Sequence, residues 1–171
     1  MAFAERARPL GAKRVIAAGR NVDVLAGADV DAVIALGQSE DAIRDALAAE
    51  AASGMDVVID YLWGRPTELL LEALTRGFKT QATQRTRLVE VGSMAGRTIT
   101  LPAEVLRSID LTLLGNGFGS VPLERVFATI PTLFEMAAAG TLQVAVEPVP
   151  LAEVETAWSR VEKGRRIVLT V

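Results

Sequence analysis

Arg14-Val15-Ile16-Ala17-Ala18-Gly19-Arg20-Asn21 is the stretch on which the fold turns. Its apolar centre does not alternate with polar residues, the pattern of a parallel strand covered on both faces. It closes on a glycine and a basic residue, and only thirteen residues precede it. Working outward from it, the same pattern recurs. Asn21 to Ala28 reads as a turn or short helix, and Ala32-Val33-Ile34-Ala35-Leu36 as a second buried strand. Ser39 is a good N-cap, with Glu40 and Asp41 in the first turn of a helix that runs to about Ala52. Ser53-Gly54 stops it.

Val57-Val58-Ile59 reads as the next buried strand, with Asp60 at its end. Pro66 suits the first turn of a helix carrying Leu69, Leu70, Ala73 and Leu74, which Gly77 ends. Arg87 to Val91 is a fourth strand, Thr98 to Leu101 a short β-rich piece and Leu111 to Leu114 a further strand. The last two follow each other quickly, which suggests local antiparallel pairing or an edge. Pro122 starts a helix, and Thr129 with Pro131 starts another or kinks the first. Glu153 opens a helix with Val154, Ala157, Trp158 and Val161 on one apolar face, so Trp158 is expected in the core. Gly164 stops it, Arg165-Arg166 is a solvated turn, and Ile167 to Val171 is a final strand.

Strands alternate with helices, so the class is α/β with a mostly parallel sheet. The chain has 171 residues, enough for one domain with a core. A net charge of −3 gives no footing for nucleic acid, and no apolar run is long enough for a membrane span. There is no cysteine and no histidine. A zinc site of the usual type, a Ser-His-Asp triad and a histidine base therefore cannot be built, and a disulfide-free chain suits a cytoplasmic setting. The segment from Met1 to Arg14 is basic but lacks the apolar centre of a signal peptide. It reads either as transit-like or as the tail of a helix stopped at Gly11.

In a doubly wound fold the end of the second strand faces the adenosine ribose. A basic residue there favours a 2′-phosphate, so Arg20 is either a phosphate contact or a solvated turn residue. Asp60 is either a ligand contact or a turn residue. Gly92-Ser93 would let a ligand approach the backbone, or is a plain strand-to-loop turn. Gly115-Asn116-Gly117-Phe118-Gly119-Ser120 has the spacing G-x-G-x-G and no Walker lysine, so it reads as a loop lining a ligand crevice rather than a phosphate cradle. Tyr61 with Arg65 is not a Tyr-x-x-x-Lys pair, because arginine does not give up its proton. Trp63 needs no functional role.

The segments Gly11 to Asn21, Asp56 to Gly64, Arg87 to Val121 and Gly164 to Leu169 together resemble the C-terminal part of medium-chain dehydrogenases/reductases. The likeness is to the quinone-oxidoreductase and zinc-type alcohol-dehydrogenase-like branches. It implies a truncated Rossmann-like doubly wound sheet lacking its first strand and its G-x-G-x-x-G turn, which together need roughly thirty residues before Arg14. Residues 1–171 would then form a single partial dinucleotide-binding domain, with the N-terminal substrate domain and its zinc ligands absent. It also implies an NADP(H) cofactor without zinc. Gly19, Arg20 and Asn21 would meet the 2′-phosphate end. Asp60, Tyr61 and Leu62 would lie near the adenosine and ribose. Val91, Gly92 and Ser93 would approach the nicotinamide ribose, and Leu114, Gly115 and Asn116 the carboxamide. Thr98 to Leu101 corresponds to the edge strand that pairs two copies in family dimers.

In the strand order 3-2-1-4-5-6 the missing first strand is central. The strands at Val15 and Val57 would flank a vacancy: they pair directly, another chain fills the gap, or the fold is strained. The expected function is that of an NADP(H)-dependent oxidoreductase lineage with weak or no activity for this chain alone. The alternatives are a non-catalytic homodimerisation module using the Thr98–Leu101 edge, and a gene fragment with no selected role. A methyltransferase fits poorly, because that fold wants an acid where Arg20 stands.

Overall fold

Seven strands and six α-helices alternate in a computed structural model that describes residues 7–76, 85–117, 119–142, 144–160 and 166–171. In chain order they are β1 (Ile16–Gly19), α1 (Val22–Ala26), β2 (Ala32–Ala35), α2 (Glu40–Ala52), β3 (Val57–Asp60), α3 (Gly64–Arg76) and β4 (Thr86–Glu90). Then follow α4 (Ala103–Ser108), β5 (Leu111–Gly115), α5 (Leu123–Ala138), β6 (Val146–Pro150), α6 (Val154–Ser159) and β7 (Arg166–Thr170). The strands group as β1-β2, β3-β4-β5 and β6-β7. The class is the Rossmann-like α/β class expected from the sequence. Among the described residues no helix is long and apolar enough to cross a membrane.

β1 and β2 run in the same direction: Asp31 N–H donates to Val15 O at the start (2.8 Å) and Leu36 N–H to Gly19 O at the end (2.9 Å). β1 and β3 belong to different sheets, so the strands expected to flank a vacancy do not pair with each other. The register of the other pairs is parallel throughout, with Val58 beside Leu88 and Leu88 beside Leu113, and Glu147 beside Ile167.

The chain divides into two compact units. One comprises residues up to Ala17, Asn21–Val33 and Thr129–Val171; the other comprises Ala18–Arg20 and Ile34–Ala128. In the first, Gly11 takes a left-handed φ of 97° and stops the preceding turn as expected. Asp31 accepts from Val15 N–H (2.7 Å) and pairs with Arg8 (3.0 Å). The Val15 amide first and then the Arg8 guanidinium hold its carboxyl below the ordinary aspartate value. The same unit holds the β6-α6-β7 crossover.

The second unit carries the larger core. α3 buries Thr67, Leu70 and Leu71 along one helical face, with Leu69 and Ala73 beside it. Ile43 and Leu47 of α2, one turn apart, are buried where α2 packs on α3. Leu88 at the centre of β4 is fully enclosed. Arg65 bonds Glu40 of α2 across the α2–α3 contact (2.6 Å) and Glu68 and Glu72 along α3 (3.0 Å each). Arg44 reaches Glu72 (2.7 Å) and Asp41 (2.5 Å).

Several expectations are corrected. β3 is buried on one face only: Val57 and Ile59 are 47% and 46% exposed, and Leu114, on the same face through Val89, is 45% exposed. Residues 98–101 form no strand. Thr100 N–H instead donates to Glu68 Oε1 (2.7 Å), tying the segment to α3. Helix α4 then separates that segment from β5, which pairs parallel with β4 rather than antiparallel with a neighbour. α5 runs through Pro131 without a break, giving up the one bond that residue 131 would have donated to Phe127 O. β6 has no counterpart in the sequence reading because Pro148 and Pro150 disguise it. Among the described residues its one strand neighbour is β7, and a strand with a free edge tolerates proline. Trp158 is 85% exposed; α6 is short and buries Ala157 alone. Gly77, Phe118, Val161, Gly164 and Arg165 lie outside the described residues.

Two outcomes are expected of this packing. Leu88→Ala should lower the unfolding free energy by about 3 kcal/mol, because the enclosed site cannot collapse onto the lost volume; a change under about 1 kcal/mol in a urea titration would contradict the buried position. Glu40 and Glu68 are held below the ordinary glutamate value, the first by the Arg65 hydrogen bond and the second by the Thr100 amide and then Arg65. Burial pushes Glu72 up, but its bonds to Arg44 and Arg65 outweigh that and leave it lowered. Depressed folded-state values mean stability that is present above the unfolded glutamate value and lost as pH falls through the folded values. The thermal midpoint should therefore drop as pH falls below the ordinary glutamate value of 4.5, and less steeply in Arg65→Met.

Candidate functional site

The ends of β3, β4 and β5 lie side by side, and the chain leaving each end builds a cleft. Asp60, the last residue of β3, is 8% exposed. Its Oδ1 accepts from Leu62 N–H (2.8 Å) and Trp63 N–H (3.0 Å), and its Oδ2 from the Thr67 hydroxyl (2.5 Å). A short polar side chain ending a strand and bonding the amides that follow is the familiar local use of aspartate in turns. Here it shapes the entry into α3.

The loop so formed is bonded along its length to the loop after β4. Val91 N–H and Gly92 N–H donate to Asp60 O (2.7 and 3.2 Å), Met94 N–H to Tyr61 O (3.2 Å) and Ala95 N–H to Leu62 O (2.7 Å). Trp63 and Gly64 both take left-handed φ values, 52° and 60°. A Cβ at Gly64 would lie 2.9 Å from the Gly96 backbone, so this position admits glycine alone on two counts.

Trp63, Leu88, Glu90, Ser93, Arg97, Leu113, Leu114 and Gly115 line an open cleft of about 540 Å³, within the usual range of small-molecule sites. Its walls are indole and leucine, and its polar groups are one carboxylate, one hydroxyl and one guanidinium. Among the described residues the side chains of Glu90, Ser93 and Arg97 have no hydrogen-bond or ion-pair partner.

Of the residues expected at a cofactor site, Ser93, Leu114 and Gly115 line this cleft. Val91 and Gly92 are bonded behind it, and Asn116 N–H donates to Glu90 O (2.8 Å), fastening the third strand end to the second. Asp60, Tyr61 and Leu62 stand at the adjoining strand end, but the Asp60 carboxylate already accepts three hydrogen bonds from its own turn and from α3. Burial pushes the Tyr61 phenol up. Gly19 and Arg20 close β1, with Gly19 O taken by Leu36 N–H and Arg20 exposed. Asn21 caps α1, its side chain accepting from Val24 N–H (3.3 Å). After β5, Gly117 N–H donates to Ser120 Oγ (2.7 Å), leaving that amide unavailable to an anion. Sequence reasoning missed Trp63, Glu90 and Arg97. Glu90 was discoverable as the last residue of β4; nothing in the sequence signals Arg97.

Gly64→Ala should destabilise the second unit by about 2 kcal/mol or more, through left-handed strain and collision with Gly96. Gly37→Ala, where an added Cβ meets nothing within 4 Å, is the control and should shift a urea midpoint little.

Comparison with known proteins agrees with this architecture. A family model described as zinc-binding dehydrogenase matches residues 10–167. No curated protein resembles the chain closely enough to count as a match. Among solved structures, AibC is similar with a TM-score of 0.75 and 23% identity, over 99% of this chain and 45% of that one. A quinone oxidoreductase of Pseudomonas syringae pv. Tomato DC3000 is similar with a TM-score of 0.67 and 20% identity, over 98% and 52%. CurA of Vibrio vulnificus, in complex with NADPH, is similar with a TM-score of 0.65 and 14% identity, over 98% and 52%. The chain thus spans about half the length of these structures, and at such identities they speak for the fold alone. With 158 of its residues matched by the family model, the chain belongs to the zinc-binding dehydrogenases and corresponds to the C-terminal, cofactor-domain part of a medium-chain dehydrogenase/reductase.

Proposed function

We propose that this chain is the cofactor-binding part of an NADP(H)-dependent oxidoreductase that transfers hydride to or from a quinone, aldehyde or alcohol. The observation that carries the reading is the cleft at the ends of β3, β4 and β5. Ligands of open parallel sheets bind outside the carboxyl ends of the strands, and the cleft there is lined by Ser93, Leu114 and Gly115.

The residues fit the two ends of a dinucleotide unequally. At the nicotinamide end, Ser93, Glu90 and Arg97 are unpartnered polar groups against an apolar wall. At the far end, Arg20 is an exposed guanidinium with no partner among the described residues, suited to a 2′-phosphate. Three of the four acceptor positions of the Asp60 carboxylate are taken within its own turn and α3, so recognition beside β3 falls chiefly to the Tyr61 and Leu62 segment. When bound, the nicotinamide supplies or accepts the hydride; the chain's residues bind and orient it. The sequence holds no G-x-G-x-x-G turn to grip the pyrophosphate, so turnover by this chain alone is expected to be weak.

Titration calorimetry tests this. NADPH should bind saturably, and Arg20→Ala should weaken NADPH roughly tenfold while leaving NADH unchanged, the loss expected for one charge-assisted contact. Equal losses for both dinucleotides would remove Arg20 from the 2′-phosphate, and no saturable NADPH binding would overturn the function.

A further inference from the structure

Trp63 is held in a backbone conformation that its residue type resists. A left-handed φ costs a side chain with a Cβ about 1–2 kcal/mol, and a bulky residue there is a genuine outlier. The surroundings impose it on both sides. Its amide is taken by Asp60 Oδ1, Leu62 O is taken by the Ala95 amide, and Gly64 is jammed against Gly96. The indole is only half-buried and has no ring contact or hydrogen bond among the described residues. It lines the cleft, where Leu88, Leu113 and Leu114 add apolar wall and Arg97 and Glu90 are unpartnered. Strain sustained at a cleft wall points to a role for the side chain that strain positions.

We propose that Trp63 is the stacking platform for a flat, electron-poor ring bearing a carbonyl group, and that Arg97 donates a hydrogen bond to that carbonyl. The indole face is electron-rich, so it attracts an electron-poor ring in offset stacking. The guanidinium is a fixed fork of donors with nothing to donate to, and a carbonyl oxygen supplies the acceptor. Two sources offer such a ring, the nicotinamide of the dinucleotide and a quinone substrate. Glu90 adds an acceptor suited to a carboxamide NH₂ group, which nicotinamide has and a quinone lacks. The inference deepens the reading of the cleft given above and rests on it.

The chain contains two tryptophans, and Trp158 is 85% exposed. Trp158→Phe therefore leaves Trp63 as the sole indole reporter. In that background, NADP⁺ and 1,4-benzoquinone are titrated separately against tryptophan emission. Saturable quenching is expected, and the probe that produces it identifies the source of the ring. Trp63→Gly removes the ring and also relieves the left-handed strain. Calorimetric affinity for the same probe, read at a temperature where the variant is fully folded, should fall about tenfold, while Trp63→Phe, which keeps a flat ring, should retain most of it, a split that a merely structural tryptophan would not produce. Arg97→Ala should weaken the same probe without shifting the unfolding midpoint. Saturation by benzoquinone with no dinucleotide binding would support the platform and sink the NADP(H) reading. Calorimetric binding of NADP⁺ with Trp63 emission unmoved and Trp63→Gly affinity intact would sink the platform and leave the NADP(H) reading standing. Quenching that only rises linearly with both probes, as random collision gives, would also overturn the platform.

Discussion

The Asp60 carboxylate is the interaction on which the candidate site depends. It is buried, and it satisfies three donors within seven residues of itself: two amides of the strand-to-helix turn and the Thr67 hydroxyl inside α3. Buried donors left without a partner cost about 1–3 kcal/mol each, so this one side chain decides whether the turn after β3 exists in its present form. The turn in turn supplies the carbonyls of Asp60, Tyr61 and Leu62 that bind the loop after β4. One carboxylate thus fixes two loops, the left-handed pair Trp63-Gly64 and the wall of the cleft. It also explains why Asp60 itself is a poor candidate for touching a ligand.

The β3-β4-β5 sheet is unequal on its two faces. Leu88 is fully enclosed, while Val57, Ile59 and Leu114 stand half-exposed on the other face. α5 repeats the theme, with Leu123, Phe127 and Phe134 all exposed and no buried residue. A both-faces-buried reading was natural for such apolar strands, because a run of Val, Ile and Leu looks the same whether one face or two are covered.

Much of the architecture was legible because it depends on local chemistry. Ser39 caps α2, Gly11 stops a turn in the left-handed region, and β1 to β5 sit within a residue or two of the apolar runs that announce them. What was misread follows a common cause, in which tertiary contact outweighs propensity. Thr98–Leu101 has strand-forming residues but spends its Thr100 amide on Glu68 of α3. Pro131 is a helix breaker that α5 absorbs for the loss of a single bond. Pro148 and Pro150 hide a strand that tolerates them because, among the described residues, it has one strand neighbour and a free edge.

The amino-acid sequence by itself determined the α/β class, the parallel strand succession and the kinship, since periodicity, caps and segment wording are properties of neighbouring residues. It also excluded chemistry that needs cysteine or histidine. Only the tertiary structure decided what Asp60 does, which face of β3 is covered, and that Trp63, Glu90 and Arg97 share one cleft with Ser93 and Gly115. The reason is physical. The cleft and the loop pairing rest on hydrogen bonds and walls that join segments about thirty positions apart, and no local pattern along the chain encodes which distant backbone a turn will meet.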